Sequence, residues 1–411
     1  MSRVLSRGRL PEPADFEAQP DPRLVAGWLE ADREARPARV ERVRGRFADA
    51  DVDAYFGVRP ENSRYVTGFA LRPGEDKVAG NSGWFLIGGD EVVVLADSRY
   101  MIQAADEATG CRVFEAYGDL PDRWPELLAG TGARRVAVEA GFVSHGLWQR
   151  LAAATPEVEL VPVEGWIEAD RATKEPAEIE RIARACAIAD RALAALLLRI
   201  KPGVTEAELA LDLEWLMRTS GAEALSFEVA CLGGAQAALP HGSPRDVPIR
   251  EGEVLLFDFG AQLAGYRSDM TRTLFVGEPA ARDVEIYELV ARAQRAAIQL
   301  IEARLVDGEG VPTGPEVDAR ARSVIEGDGR WPVFGHGTGH GIGLATHELP
   351  TLGKRAAQAP LPSPTVFSVE PGIYLEGETG VRIEDLVAID AEKGRLEVLT
   401  HFPRDVLVIG A

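Results

Sequence analysis

The chain has 411 residues, 46% hydrophobic and 27% charged, which is enough for two globular domains and too apolar for a chain disordered as a whole. Its formal net charge of -20 disfavours nucleic acid and anionic membranes as partners. The widely spaced Cys111, Cys186 and Cys231 suggest neither a disulfide framework nor a thiolate metal site, and they favour a reducing, cytoplasmic setting. Because no apolar run is long enough for a secretory signal or a bilayer span, we expect a soluble protein that is not exported.

The first 35 residues are predicted to form an extended segment. Pro11, Pro13, Pro20 and Pro22 fall there among acidic and small residues, a composition that disfavours a packed element. We therefore expect the folded part of the chain to begin after this segment.

Residues 36–168 are predicted to form a smaller α/β domain. Helical spacing between Val40 and Phe47 is followed by short apolar runs with turn residues between them, namely "AYFGV", "GWFLI", "EVVVLA", "RRVAVE" and "VELVPV". Residues 88–90, "GGD", separate two of these runs and are typical of a hairpin turn.

A second domain is predicted over residues 174–411. It opens with a long amphipathic helix that Pro176 can start, and "KPG" at residues 201–203 ends it. Thr205 and Glu208 predict a capping box for the next helix. From Phe227 onward the pattern is mostly typical of strands, so helices followed by a strand-rich block indicate an α+β arrangement.

Four acidic residues interrupt apolar, strand-like runs of this second domain. They are Asp258 in "VLLFDFG", Asp269 in "SDMTRTLF", Glu370 in "FSVEPGIYL" and Glu384 in "GVRIEDLVAI". The stretch "GAQLAGYRS", residues 260–268, is turn-like, so we expect the two flanking strands to pair and to bring both aspartates together. Burying an ionised carboxylate without a partner is costly, so these positions need an explanation.

Metal binding would explain all four acids. Two carboxylates about 4 Å apart repel by several kcal/mol at an effective dielectric constant of about 20, and within these motifs only Arg272 and Arg382 could neutralise them. Two divalent cations would balance four carboxylates. Oxygen donors with one imidazole, His340, suit Mn²⁺ or Co²⁺. The glycines around His340 in "FGHGTGHGIG" would let the backbone approach a crowded site and adopt conformations closed to other residues.

Each motif taken alone also has a purely structural interpretation. A single aspartate in a strand is commonly held by backbone N–H groups, a Gly-rich histidine loop can be a simple connection, and "EPG" is a common turn. "RIED" can be a surface charge cluster, and His145 and His401 lie outside any motif and suit packing or surface roles. The joint occurrence of the motifs in this order favours chemistry.

The second domain resembles the metallopeptidases of the pita-bread fold, which include aminopeptidase P, prolidase and methionine aminopeptidase. The resemblance runs from about Lys174 to the C-terminus and rests on the motifs "LPHG", "FDFG", "SDMTRT", "GHGTGHGIG", "VEPGIY" and "VRIED". The first domain is similar to the N-terminal domain of creatinase, prolidase and aminopeptidase P, with "ENSRYVTGF" as its clearest signature.

The resemblance implies a residue for each part of the site. Asp258 would bind one metal ion, Asp269 and Glu384 would bridge both, and His340 and Glu370 would complete the set of ligands of the other metal ion. Mn²⁺ is the expected metal, with Co²⁺ or Zn²⁺ as alternatives. Catalysis would use His241, His347 and Glu370, with Glu370 handling the proton of the attacking water. Substrate would contact His241, His336, His347 and Arg382.

The same resemblance implies an Xaa-Pro aminopeptidase, a cytoplasmic homodimer that releases the first residue of short peptides with proline at the second position. "LADSRYMIQA", residues 95–104, looks more like bacterial aminopeptidase P than like prolidase. Two alternatives stay open. One is the dipeptide-restricted Xaa-Pro dipeptidase, and the other is a metal-free member of the fold, either a creatinase-like hydrolase or a binding protein without catalysis.

Overall fold

A computed structural model describes residues 21–72 and 74–410. Residues 26–171 form one compact unit, and residues 172–410 form the other together with residues 21–25. Among the described residues, no helix has the length and apolar character needed to cross a membrane.

The elements up to residue 172 alternate between helices and short strands. In chain order they are α1 (Pro22–Arg44), α2 (Phe47–Ala50), β1 (Ala54–Gly57), α3 (Pro60–Thr67), a 3₁₀ turn (Glu75–Lys77), β2 (Phe85–Ile87), β3 (Val92–Ala96), α4 (Met101–Glu107), β4 (Arg112–Glu115), α5 (Leu120–Ala129), β5 (Arg135–Glu139), α6 (His145–Ala154), β6 (Glu159–Val163) and α7 (Trp166–Ala172).

The six strands described in this unit form one mixed sheet in the order β4-β3-β2-β1-β5-β6. β2 and β3 are antiparallel, as the hairpin turn at residues 88–90 predicts, and β2 is also antiparallel to β1, while the outer pairs are parallel. Phe56 of β1 packs edge-on against Trp124 of α5 with ring centroids 4.9 Å apart. Both rings are fully buried, so helices cover the sheet of an α/β unit as the sequence predicts.

The predicted extended segment over residues 1–35 is wrong for residues 22–35, since α1 already begins at Pro22. Pro22 takes the first helical position, where a proline loses no hydrogen bond. Trp28, Val40 and Val43 are buried and explain why the segment packs as a helix. Pro11, Pro13 and Pro20, which also suggested an extended segment, lie outside the described residues.

The second unit continues with helices, several sheets and two more helices. Its elements are α8 (Pro176–Leu196), α9 (Glu206–Thr219), β7 (Ala224–Leu225), β8 (Ala230–Gly233), a 3₁₀ turn (Gly234–Ala238), β9 (Val254–Phe259), β10 (Ala261–Leu263), β11 (Tyr266–Arg267), β12 (Met270–Val276), α10 (Ala281–Val306), α11 (Gly314–Asp328), β13 (Gly339–Gly341), β14 (Glu348–Leu352), β15 (Thr365–Val369), β16 (Gly372–Leu375), β17 (Thr379–Arg382), β18 (Asp385–Asp390), β19 (Arg395–Val398) and β20 (Val408–Ile409).

Two sheets of this unit carry the residues of interest. One has the order β20-β12-β9-β8 and the other the order β14-β13-β15-β18-β19. β9 and β12 are antiparallel neighbours, and the residues between them form the small β10-β11 hairpin. This confirms the predicted pairing of the two aspartate-bearing strands.

Of the helices in the second unit, α9 begins where the sequence predicts it, whereas α10 and α11 were not predicted. Thr205 and Glu208 form the predicted capping box of α9, with the Thr205 hydroxyl accepting from the Glu208 N–H at 3.1 Å. The expectation of a mostly stranded block after Phe227 is incomplete, since α10 and α11 interrupt it. α10 buries Ile286, Val290 and other residues of one face in the core that also holds Phe367 and Val387 of the second sheet.

Candidate metal centre

Asp258 and Asp269 lie at the same end of the antiparallel β9-β12 pair. Asp258 faces Thr271 across the pair, and Asp269 directly precedes the first residue of β12. Antiparallel pairing therefore places both carboxylates at the same end of the sheet, although the chain between them makes a separate hairpin.

His340 stands in β13 with its ring oriented by its own backbone. Its Nδ1 lies 3.0 Å from the carbonyl oxygen of Gly341, so Nδ1–H donates and Nε2 keeps its lone pair. Nε2 lies 3.7 Å from Oδ2 of Asp269 and 3.4 Å from Oε1 of Glu370. A hydrogen bond that fixes the far nitrogen of a histidine is the usual support of a metal ligand.

Glu370 and Glu384 reach the same place from the second sheet. Glu370 follows the last residue of β15, and its Oε1 accepts from the Ser368 hydroxyl at 3.1 Å. Glu384 precedes β18, and its Oε2 accepts from the Thr271 hydroxyl at 2.7 Å. One ligand atom each from Asp269, His340 and Glu384 lies within 4.8 Å of the others, a spacing that a metal ion can bridge.

Asp258 is tied to the cluster through Arg382 and Thr271. Arg382 Nη2 donates to Asp258 Oδ2 at 2.6 Å, and Arg382 Nε donates to the Thr271 hydroxyl at 2.9 Å. That hydroxyl in turn donates to Glu384. The five predicted ligands therefore belong to one connected set of contacts.

The electrostatics of the cluster show an excess of negative charge. Burial, together with the neighbouring carboxylates, raises the pKa of Asp269 and that of Glu384 well above the usual range. Burial also raises the pKa of Glu370, although Arg382 and His336 oppose the rise. The chain's own charges thus leave these acids under-compensated, which additional positive charge would relieve.

Three buried carboxylate oxygens have no hydrogen-bond partner among the described residues. They are Oδ1 of Asp258, Oδ1 of Asp269 and Oε1 of Glu384, each with almost no accessible surface. Leaving such an oxygen unsatisfied costs about 1 to 3 kcal/mol or more. Oxygen atoms of this kind beside a histidine nitrogen fit divalent cations, so the residues suit the metal that the sequence predicts.

The glycines around His340 are needed for space. A Cβ at Gly339 would overlap the Ser368 carbonyl group, and one at Gly341 would overlap that of Leu349. None of the four glycines 337, 339, 341 and 343 has a positive φ, so the expectation that they adopt conformations closed to other residues is wrong. β13 is a central strand that β14 and β15 approach closely, and side chains there would separate the strands.

The remaining predicted histidines take different positions. The ring of His347 lies 4.4 Å from that of His340, centroid to centroid. Partial burial is the main cause that lowers the pKa of His347, and the charges of His340 and His241 lower it further. His241 itself is exposed. His336 accepts at Nε2 from the Tyr374 hydroxyl at 2.9 Å, while its Nδ1–H donates to Gly337.

Arg382 is buried, and its guanidinium group is occupied by protein partners. Besides Asp258 and Thr271, it donates to the Tyr374 hydroxyl at 3.0 Å and to the Pro240 carbonyl oxygen at 3.3 Å. Burial opposes its charge, yet Tyr374, Asp258 and Glu370 raise its pKa well above the usual range. The structure thus shows Arg382 orienting Asp258, and its predicted contact with substrate stays a prediction.

Sequence reasoning missed three residues that support the cluster. Thr271 and Ser368 each hold a predicted ligand, and Tyr374 joins His336 to Arg382. Two of them, Thr271 and Tyr374, stand inside the motifs "SDMTRT" and "VEPGIY", so their motif position was the available signal.

Comparisons with known proteins agree with this geometry. Residues 180–391 match the metallopeptidase family M24, and residues 39–173 match the creatinase/prolidase N-terminal domain. The Xaa-Pro dipeptidase of Pyrococcus furiosus is 31% identical over 90% of this chain and 99% of its own.

Two solved structures are similar over nearly the whole chain. The Xaa-Pro dipeptidase from Bacillus anthracis superposes with a TM-score of 0.83 at 33% identity, covering 91% of this chain and 100% of its own. The X-Pro aminopeptidase from Thermotoga maritima superposes with a TM-score of 0.78 at 33% identity, covering 90% and 99%. The fold is therefore the predicted one, a pita-bread catalytic domain after a creatinase-like N-terminal domain. The chain belongs to the metallopeptidase family M24.

Proposed function

We propose that this metallopeptidase is an Xaa-Pro dipeptidase that uses two divalent metal ions. The observation that carries the proposal is the buried set of Asp258, Asp269, His340, Glu370 and Glu384, with unsatisfied oxygens and excess negative charge. A metal-free, creatinase-like or purely binding protein would have no need of such a costly set. Mn²⁺ is the proposed metal, with Co²⁺ and Zn²⁺ as alternatives.

The proposal that dipeptides are the substrate differs from the main prediction made from the sequence, which was an aminopeptidase acting on longer peptides. The motif at residues 95–104 favoured an aminopeptidase, with the dipeptidase as the alternative. The relatives favour that alternative, since the similar proteins of Pyrococcus furiosus and Bacillus anthracis are both named Xaa-Pro dipeptidases. The similar Thermotoga maritima protein is named an X-Pro aminopeptidase, and it supports the release of a residue from longer peptides as the second candidate.

The chain's own groups suit hydrolysis of a peptide bond. The chemistry supplied by bound divalent ions is to lower the pKa of water and to polarise a carbonyl group. Glu370 would take the proton of the attacking water at its carboxylate and pass it to the leaving nitrogen. His347 and His241 would donate hydrogen bonds to the carbonyl oxygen as negative charge develops there.

An assay with matched peptides tests the proposal. The protein is stripped with a chelator and reloaded with Mn²⁺, Co²⁺ or Zn²⁺, and cleavage of Xaa-Pro is compared with that of Xaa-Pro-Yaa sharing the same first residue. Metal-dependent cleavage of the dipeptide alone is expected. Preferred cleavage of the tripeptide would favour the aminopeptidase, and full activity after verified metal removal would contradict both.

The homodimer and the cytoplasmic setting stay predictions from the sequence. Sedimentation equilibrium of the full chain tests the first of these.

A further inference from the structure

An ion pair buried beside the metal centre has no part in the proposed chemistry. Lys174 Nζ donates to Glu348 Oε1 at 2.7 Å, and the two side chains are 0% and 1% exposed. Taking both charges out of water costs several kcal/mol per ion, and apolar residues of similar volume commonly replace such a pair without loss of stability. Stability alone is therefore a weak reason for this pair.

Glu348 holds the turn that carries His347. It directly follows His347 and starts β14, where it faces Gly341, the residue after His340, across the strand pair. Its other carboxylate oxygen accepts from the Ala345 N–H at 3.3 Å, which closes the turn of residues 345–348 on itself. The Glu348 carboxylate thus braces the turn that carries His347, whose ring lies beside that of His340.

Lys174 ties that turn to the strand that leads to Glu370. Its backbone N–H donates to the Pro364 carbonyl oxygen at 2.8 Å, immediately before β15. The next residue, Thr365, donates through its hydroxyl to the Ala172 carbonyl oxygen at 2.7 Å. β15 ends one residue before Glu370, so the ion pair connects the turn of His347 to the strand of Glu370.

Gly343 is shaped to this pair. A Cβ at residue 343 would overlap Glu348 Oε1 and come within 3.2 Å of Lys174 Cε. The residue has no positive φ, so alanine would fit the backbone and would displace the carboxylate and, to a smaller extent, the Lys174 side chain. The last glycine of "GHGTGHGIG" therefore makes room for the ion pair.

We propose that Lys174 and Glu348 are positioning residues that fix His347 relative to His340 and Glu370. The inference deepens the proposed function and rests on it for the catalytic role of His347. Misplacing a reacting group by about 1 Å can cost a hundredfold in rate, so the pair would act on kcat without touching substrate.

Two variants separate positioning from stability. Lys174→Met/Glu348→Leu removes both charges together, so it avoids the unpaired buried charge that either single variant would leave. Gly343→Ala keeps both charges and shifts the carboxylate. Gly335→Ala is the matched control, because a Cβ there meets nothing within 4 Å and the glycine has no positive φ.

For both variants we expect a urea midpoint and a metal stoichiometry close to those of the wild type. We expect kcat on an Xaa-Pro dipeptide to fall by about 10- to 100-fold with KM little changed. Gly335→Ala should match the wild type. Wild-type kcat in either folded variant would overturn the proposal. If the double variant does not fold, Gly343→Ala decides alone.

A second measurement does not depend on activity. With only six histidines in the chain, selective ¹⁵N labelling of histidine resolves the ring signals of the metal-free protein. The His347 signals should shift in both variants, while those of the remote His145 stay in place. Unchanged His347 signals in the variants would overturn the positioning proposal, whatever the activity of the wild type. A wild type that cleaves no Xaa-Pro peptide would refute only the proposed function.

Discussion

Glu384 and Asp385 are neighbours in the chain, and both side chains are buried, yet their surroundings have opposite effects. Burial and nearby carboxylates raise the pKa of Glu384 well above its usual range. Burial opposes the charge of Asp385 as well, but Arg272 and Arg404 outweigh it and lower its pKa to about 2. Two successive residues thus differ, since Glu384 is short of positive charge and Asp385 is compensated by two arginines.

The partners of the two acids explain the difference. Asp385 accepts from Arg272 Nη2 at 2.7 Å, from the Thr400 hydroxyl at 2.6 Å and from Gln294 at 2.5 Å, and Arg404 pairs with its second oxygen. Glu384 accepts a hydrogen bond from one hydroxyl, and its Oε1 has no hydrogen-bond partner within residues 21–72 and 74–410. Asp385 therefore has its counter-charge within the chain, whereas the Glu384 carboxylate has no arginine or lysine in direct contact among the described residues, as expected of an acid that binds a metal ion.

The largest expected effect is on activity. Glu384→Gln should lower kcat/KM by about a thousandfold, because it removes a proposed metal ligand. Metal ions supply several kcal/mol of transition-state stabilisation, and each loss of about 1.4 kcal/mol slows the reaction tenfold. The metal-free variant should be at least as stable as the metal-free wild type, because the change removes an under-compensated charge. Peptidase kinetics and urea unfolding of stripped protein measure the two effects. A large loss of stability would mean that Glu384 is a structural acid like its neighbour.

The neighbouring variant should show the reverse pattern. Asp385→Asn leaves Arg272, which is fully buried, without its carboxylate, and we expect a loss of about 3 to 5 kcal/mol in the free energy of unfolding. Asp390→Asn is the control from the same strand. The Asp390 carboxylate pairs at the surface with Lys393, so removing it should lower the free energy of unfolding by less than about 1 kcal/mol. Equal effects of the two variants would contradict the contrast between Glu384 and Asp385.

The sequence predicted the acidic cluster around Glu384 better than the hydrogen-bond partners of Asp385. The acids of the centre interrupt apolar runs, and Asp258 and Asp269 are close in the chain, so their pairing could be foreseen. The partners of Asp385 could not, because Thr400, Gln294 and Arg272 lie 15, 91 and 113 residues from it and share no local pattern. The sequence suggested Arg272 as counter-charge for the four acids, whereas in the structure it serves Asp385.

Capping chemistry explains which helices could be predicted. α9 begins with a Thr205–Glu208 box, which was found, and α11 begins with an equivalent Thr313–Glu316 box, which was available and was missed. α10 follows Ala280, which offers no capping side chain, so only the spacing of its apolar residues could have indicated it.

The pH dependence of stability sharpens the contrast further. Because folding lowers the pKa of Asp385 from its usual value near 4 to about 2, its contribution is complete above pH 4 and is lost as pH falls toward 2. Linkage gives a loss of about 1 kcal/mol at pH 3 and about 2 kcal/mol once both states are protonated. The difference in unfolding free energy between wild type and Asp385→Asn should shrink accordingly between pH 5 and pH 3. A difference independent of pH over this range would show that the carboxylate is not held charged by its arginines.

The smallest effect concerns the neutral partner of Glu384. Thr271→Val removes the hydroxyl that donates to Glu384 and accepts from Arg382, and the loss of such a supporting contact should weaken metal binding about tenfold, as calorimetry with Mn²⁺ would measure. Thr273→Val is the matched control, because Thr273 lies two residues further along β12 and is equally buried. In the described part of the chain, its hydroxyl hydrogen-bonds with the Arg382 backbone alone. It should lose stability and keep its metal affinity. If both variants bind Mn²⁺ equally well, Thr271 packs the strand and does not orient Glu384.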